Sequence, residues 1–247
     1  MASTYLVASG KGGTGKSSIT ALLGRQLAAS GRNVLLLELD SGLRSLDMML
    51  GVSDQVLFDA GDVLSGRCKP VGAVTVVPSP AGNLHYIAAP MDPTFLPDRT
   101  NLHRLIEGLG EYFDYVFIDA PAGMGRMLTL LADATDTSLV VTHAQPVPVR
   151  DAASLVTLLK RRGQNSQRLI INSFSSRQIG EGVPNLDWVI DTVGAQLIGI
   201  VPYDPALPGA LAVGQPLPVR TPARLALSAI AGRLGGHYSP LLATSLK

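Results

Sequence analysis

The sequence predicts a doubly wound α/β architecture, a mostly parallel sheet with helices on both faces. Three observations carry this expectation. Short apolar runs alternate along the chain with segments of helical spacing. Several of those runs end in Asp or Asn, where a parallel sheet presents its ligand crevice. The chain has 247 residues, of which 46% are apolar and 16% charged, which suits one large core-rich domain over residues 1–247.

Residues 5–9 (Tyr-Leu-Val-Ala-Ser) read as a buried strand. Ile19, Leu22, Leu23, Leu27 and Ala28 follow at helical spacing, and Gly31 stands where a helix ends. Between them lies Gly10-Lys11-Gly12-Gly13-Thr14-Gly15-Lys16-Ser17, which meets the pattern G-x-x-x-x-G-K-[ST] in full. The glycines let the N–H groups of residues 12–17 curl around one anion, and the helix adds the positive end of its dipole. Lys16 then reaches the β- and γ-phosphates of a nucleotide, and the Ser17 hydroxyl ligates Mg²⁺. The bland alternative, a glycine-rich turn that binds nothing, does not explain why a strand and a helix flank it correctly.

Residues 33–39 form a second strand, ended by Asp40, whose plainer reading is a helix N-cap. Residues 51–98 carry no nameable chemistry. Within them, residues 59–64 read as a helical turn or two, and 74–77 and 84–88 as short strands between proline-marked loops. A helix covers 100–112. The strand at 114–119 ends in Asp119, a carboxylate placed to hold Mg²⁺ through a water. Its plainer reading is again a helix cap. A strand at 137–142 precedes a helix at 149–159 that ends in Lys160, Arg161 and Arg162, with Arg168 nearby. Cations there suit a helix C-terminus, or a small patch for DNA or lipid. The strand at 169–172 ends in Asn172, whose amide can pair with both the donor and the acceptor edge of adenine, or cap the strand. A last strand at 197–202 and a helix at 222–234 close the chain.

These stretches resemble the MinD/ParA class of ATPases, to which nitrogenase iron proteins also belong, and its MinD branch above all, over residues 3–234. Lys11-Gly-Gly-Thr-Gly-Lys16-Ser17 resembles the deviant Walker A motif. Residues 40–47 (Asp-Ser-Gly-Leu-Arg-Ser-Leu-Asp) resemble switch I of MinD, and 119–123 (Asp-Ala-Pro-Ala-Gly) its switch II. The resemblance implies that Gly12, Gly13, Thr14, Gly15, Lys16, Ser17 and Ser18 hold phosphate. It implies that Lys11 crosses a nucleotide-sandwich dimer to the partner's phosphates, which spacing alone leaves open. It implies that Asp40 orients the attacking water, and that Gly123 offers an N–H near the γ-phosphate and a hinge. Asn172 and the loop Pro202-Tyr203-Asp204 would hold and cover the adenine. Two departures stand out. Glu38 takes the place of a family Asp, with a longer side chain that can still reach a metal-bound water. Ser173 follows Asn172 where the family has Arg.

The implied function is a Mg²⁺-dependent ATPase that forms a homodimer with ATP, answers to an activating protein partner, and places division sites or other structures. Net charge is +1, so no global field attracts DNA or membrane. The single cysteine, Cys68, allows no internal disulfide and suits a reduced cytoplasmic setting. The tail 235–247 has too little charge to serve as the family's membrane helix, so membrane association is expected only through a partner. A ParA-like DNA-partitioning ATPase stays open through the Lys160–Arg168 patch. An ATP-dependent synthetase of the dethiobiotin type, for which no substrate motif is seen, also stays open. So does a module that uses ATP only to hold shape, with Glu38 as its best support.

Overall fold

The protein is described by a computed structural model over residues 3–42, 44–80, 83–135, 137–180 and 182–240. Eight strands form one sheet. They are β1 (Ser3–Ala8), β2 (Val34–Glu38), β3 (Thr75–Val77), β4 (Leu84–Ile87), β5 (Tyr115–Asp119), β6 (Thr137–Thr142), β7 (Ser166–Phe174) and β8 (Gln196–Pro202). Their order is β3-β4-β2-β5-β1-β6-β7-β8, parallel throughout except for the β3–β4 edge hairpin. The helices are α1 (Lys16–Ala29), α2 (Leu46–Leu50), α3 (Ala60–Leu64), α4 (Pro70–Ala73), α5 (Arg99–Leu109), α6 (Arg126–Asp133), α7 (Pro146–Arg161), α8 (Leu186–Val193), α9 (Ala206–Ala212) and α10 (Pro222–Leu234).

The central strands carry near-continuous apolar runs because both faces are covered. On β2, Leu35 and Leu37 enter one core with α5, α6, α7 and α8, while Val34 and Leu36 enter the other with α1, α2 and α10. The strand period of two divides one continuous apolar run between two cores. All four residues are fully buried, each contributing roughly 1.5–3 kcal/mol of burial free energy. Register then fixes the site. Val7 of β1 and Glu38 of β2 both stand level with Asp119 of β5, so the polar ends of three neighbouring strands share one edge.

The expected strands are all present, with ends moved by a residue or two except β7, which runs from Ser166 to Phe174. The first helix ends as expected, with Gly31 in the left-handed region and its N–H on the Ala28 carbonyl. Three differences stand out. Helix α7 opens at Pro146 rather than Val149, because prolines in a first turn forfeit only N–H groups that have no helical partner. Helix α5 starts at Arg99 and stops at Leu109, short of Tyr112. Helices α6, α8 and α9, each eight residues or fewer, were not expected from the sequence. Of the switch I resemblance, Leu43 lies outside the described residues. So do residues 241–247 of the tail.

Candidate functional site

The loop between β1 and α1 carries Gly13 and Gly15 at φ +82° and +83°, a region that L side chains rarely adopt. Gly15 is the residue before α1, so the loop turns directly into the helix N-terminus. A Cβ on Gly12 or Gly13 would meet nothing within 4 Å, so that side of the loop is open. A Cβ on Gly15 would stand 2.2 Å from Asn172 Nδ2, and one on Gly10 would stand 2.4 Å from the Asp151 backbone. Two glycines therefore admit a ligand, and two let β7 and α7 press against the loop.

Asp119, fully buried at the end of β5, gathers the groups aimed at phosphate and metal. Lys16 Nζ lies 2.9 Å from its Oδ2 and 3.8 Å from Asp40 Oδ2. Ser17 Oγ donates to Oδ2 at 2.6 Å, and Thr20 Oγ1 donates to Oδ1 at 3.1 Å. Ser17 and Thr20 are three apart on α1 and so share a face. Asp119 caps no helix, since α6 begins at Arg126 with Gly125 as its N-cap, and Asp40 caps none either. Burial raises the Asp40 pKa above the ordinary carboxylate value; Lys16 works against that and Asp119 with it.

The chemistry of this set fits nucleotide and Mg²⁺. Mg²⁺ takes oxygen ligands and keeps several waters, which one hydroxyl and one carboxylate beside phosphates allow. Among the described residues no cluster of three or more His, Cys, Asp or Glu forms a metal cage of its own. Thr14 Oγ1 and Asn172 Oδ1 are buried with no partner among the described residues, a costly state that a polar ligand relieves. Ser18 is half-buried in the first turn of α1.

Several expected residues have other attachments. Glu38 is held by the most donors. It is fully buried, and its carboxylate accepts from Ser45 N at 2.8 Å, Ser45 Oγ at 3.2 Å, Leu46 N at 3.1 Å and the Tyr86 hydroxyl. Those donors tie it to the start of α2 and to β4, and burial raises its pKa. Gly123, at φ +88°, donates its N–H to Ser9 O at 2.9 Å, so that N–H is not free for a phosphate in this conformation. Asn172 donates from Nδ2 to Thr14 O at 2.9 Å, which makes it a brace of the phosphate loop with its acceptor oxygen free. Pro202 is buried at the end of β8. Tyr203 is 63% exposed, its N–H on Phe174 O at 2.8 Å. The Asp204 carboxylate accepts from Ala206 N at 3.0 Å and Ala223 N at 3.2 Å, so it ties α9 to α10 rather than facing a base. Lys11 is exposed on the loop's rim.

Two of the cations at the end of α7 and just beyond it are engaged within the fold, while Arg161 is exposed. Lys160 Nζ donates to Gly194 O at 2.8 Å, Arg162 Nε donates to Asp133 Oδ1 at 3.0 Å, and Arg168 is half-buried. That weakens the patch as a DNA surface. Sequence reasoning missed Thr20, whose spacing from Ser17 was a usable signal. It also missed Tyr86 and His143, for which no signal existed. His143 stands at the end of β6 with its ring on the Thr14 backbone, and burial lowers its pKa.

A glycine cradle that leads into a helix, with a lysine and a hydroxyl converging on a strand-end carboxylate, defines a P-loop nucleotide-binding protein. Residues 5–217 match the CobQ/CobB/MinD/ParA nucleotide binding domain, and the chain belongs to that family. It is 32% identical to the septum site-determining protein MinD of Bacillus subtilis (strain 168), over 98% of this chain and 92% of that protein. Its fold matches MinD in the MinC:MinD cell division protein complex of Aquifex aeolicus with a TM-score of 0.89 at 30% identity, over 97% of this chain and 98% of that one. It matches the septum site-determining protein MinD complexed with Mg-ADP from Pyrococcus horikoshii OT3 with a TM-score of 0.84 at 25% identity, over 95% and 96%. The protein is accordingly an ATPase that uses ATP with Mg²⁺. No described helix is long and apolar enough to cross a membrane.

Proposed function

We propose that this ATPase, read as one domain over the whole chain, is a dimerisation switch that places the division site, as MinD does. The relatives named septum site-determining protein MinD support that process. The observation that carries the switch is the division of labour between two lysines. Lys16 is held inside, between Asp119 and Asp40, while Lys11 stands exposed beside the same loop. A buried lysine serves its own nucleotide, and an exposed one is free to serve another.

In this reading the N–H groups of residues 12–17 and Lys16 hold the phosphates, and Ser17 ligates Mg²⁺, with Asp119 fixing one of its waters. Bound there, Mg²⁺ would supply positive charge beside the phosphates. Asp40 orients the attacking water, and Lys11 of the partner subunit stabilises charge developing on the γ-phosphoryl oxygens. Asn172 Oδ1, buried and unpartnered, is the acceptor left for the adenine amino group. A MinD relative was solved with MinC, which supports a protein partner for this chain.

Mixing two inactive variants tests the trans contact. A Lys11→Ala subunit keeps Asp40, and an Asp40→Ala subunit keeps Lys11. If Lys11 acts in trans, the mixed dimer has one complete site and hydrolysis returns. A mixture no faster than the sum of its parts refutes it.

A further inference from the structure

The segment between β2 and α2 holds Asp40, and both of its ends meet at one side chain. Glu38 is the last residue of β2, and Ser45 and Leu46 are where α2 begins. Seven residues of extended chain span roughly 23 Å, yet Ser45 N returns to 2.8 Å from Glu38 Oε1. Three donors converge on Glu38 Oε1, namely Ser45 N, Ser45 Oγ and Leu46 N, and the Tyr86 hydroxyl donates to Oε2. Tyr86, on the neighbouring β4, is itself fully buried. A third tie comes from Gly42 N, which donates to Pro90 O at 3.0 Å. A Cβ on Gly42 would meet Pro93 at 2.9 Å. Asp40 therefore hangs in a closed loop, two residues from its buried knot.

We propose that Glu38 is a positioning residue which, with Tyr86, clasps the two ends of this segment and so sets where Asp40 stands beside Lys16. The longer Glu side chain is what spans from the strand end to both α2 and Tyr86. The proposal rests on the hydrolytic role given to Asp40 above, and it assigns Glu38 no contact with nucleotide or metal.

Three variants of the full chain test it: Glu38→Gln, Tyr86→Phe and Glu38→Ala. The glutamine keeps an oxygen for Ser45 and Leu46 and can donate its amide N–H to the Tyr86 oxygen, so the clasp survives without charge. Steady-state hydrolysis and amide exchange at Ser45 and Leu46 are the readouts. Glu38→Gln is expected within about threefold of wild type in kcat, with the same Mg²⁺ midpoint. Glu38→Ala should lower kcat about tenfold or more with the KM for ATP nearly unchanged, because a misplaced Asp40 affects the transition state more than binding. Tyr86→Phe should speed exchange at both amides about fivefold. A Glu38→Gln variant as slow as Glu38→Ala, or one with a shifted Mg²⁺ midpoint, overturns the clasp in favour of a metal role. Unchanged exchange in Tyr86→Phe overturns it too. If Glu38→Ala does not fold, the other two variants still decide. If Asp40→Ala hydrolyses ATP normally, the role of Asp40 fails, while the exchange readout still judges the clasp.

Discussion

Replacing Gly15 with Ala should spring the phosphate loop by two separable routes. At φ +83° an alanine is strained by about 1–2 kcal/mol. Its Cβ would also sit 2.2 Å from Asn172 Nδ2, so the amide must move and give up its bond to Thr14 O. Losing that bond, and leaving a buried carbonyl without its donor, costs about 1–2 kcal/mol more. The single variant should therefore lose about 3 kcal/mol, and Asn172→Ala alone about 1 kcal/mol. In the double variant the clash has nothing to meet, so only strain and the lost bond remain, about 2.5 kcal/mol in all. The coupling is then about 1.5 kcal/mol in favour of the double variant. Urea unfolding of the four proteins without nucleotide measures it. Strict additivity would refute the claim that Asn172 braces Gly15 and would leave backbone strain as the whole effect.

Other expectations follow from the same geometry. Lys16→Ala should abolish ATP binding by calorimetry, and it should also destabilise the protein by about 3 kcal/mol, since buried Asp119 loses its counter-charge; unchanged ATP affinity would remove the phosphate-site assignment. Glu38 gives a pH effect whose sign is fixed. Burial raises its folded pKa above the unfolded value, so the folded state binds the proton more tightly. Stability from this group is full below the ordinary glutamate pKa and is lost as pH rises through the folded value. Glu38→Gln cannot ionise, so its Tm should gain on wild type as pH rises from about 4 toward 7; a gap that closes with pH contradicts the burial argument.

Much of the fold was legible because its strands carry short apolar runs that end in polar residues. The run from Val34 to Leu37 could hardly be anything but a strand covered on both faces, and Glu38 and Asp40 mark its polar end. The phosphate loop was legible because its spacing encodes a backbone shape. Attachments made through tertiary contacts were not. Nothing in the order of residues tells that Tyr86, 48 positions away, meets Glu38, or that Asp204 turns to cap α10. Local patterns report what a residue type can do. Whether Glu38 meets a metal or a helix depends on which donor the fold brings nearer. Short helices such as α9, with Pro208 and Gly209 inside it, escape for a related reason: packing against α2 outweighs poor propensity.

The switch is tested most directly by the solution mass of Asp40→Ala, measured by light scattering first with Mg²⁺ and ATP and then with ADP. Removing the residue assigned to the attacking water should trap the ATP state. Twice the 25.9 kDa monomer mass with ATP, and the monomer mass with ADP, is the expected result. A mass that is the same with either nucleotide would contradict the switch.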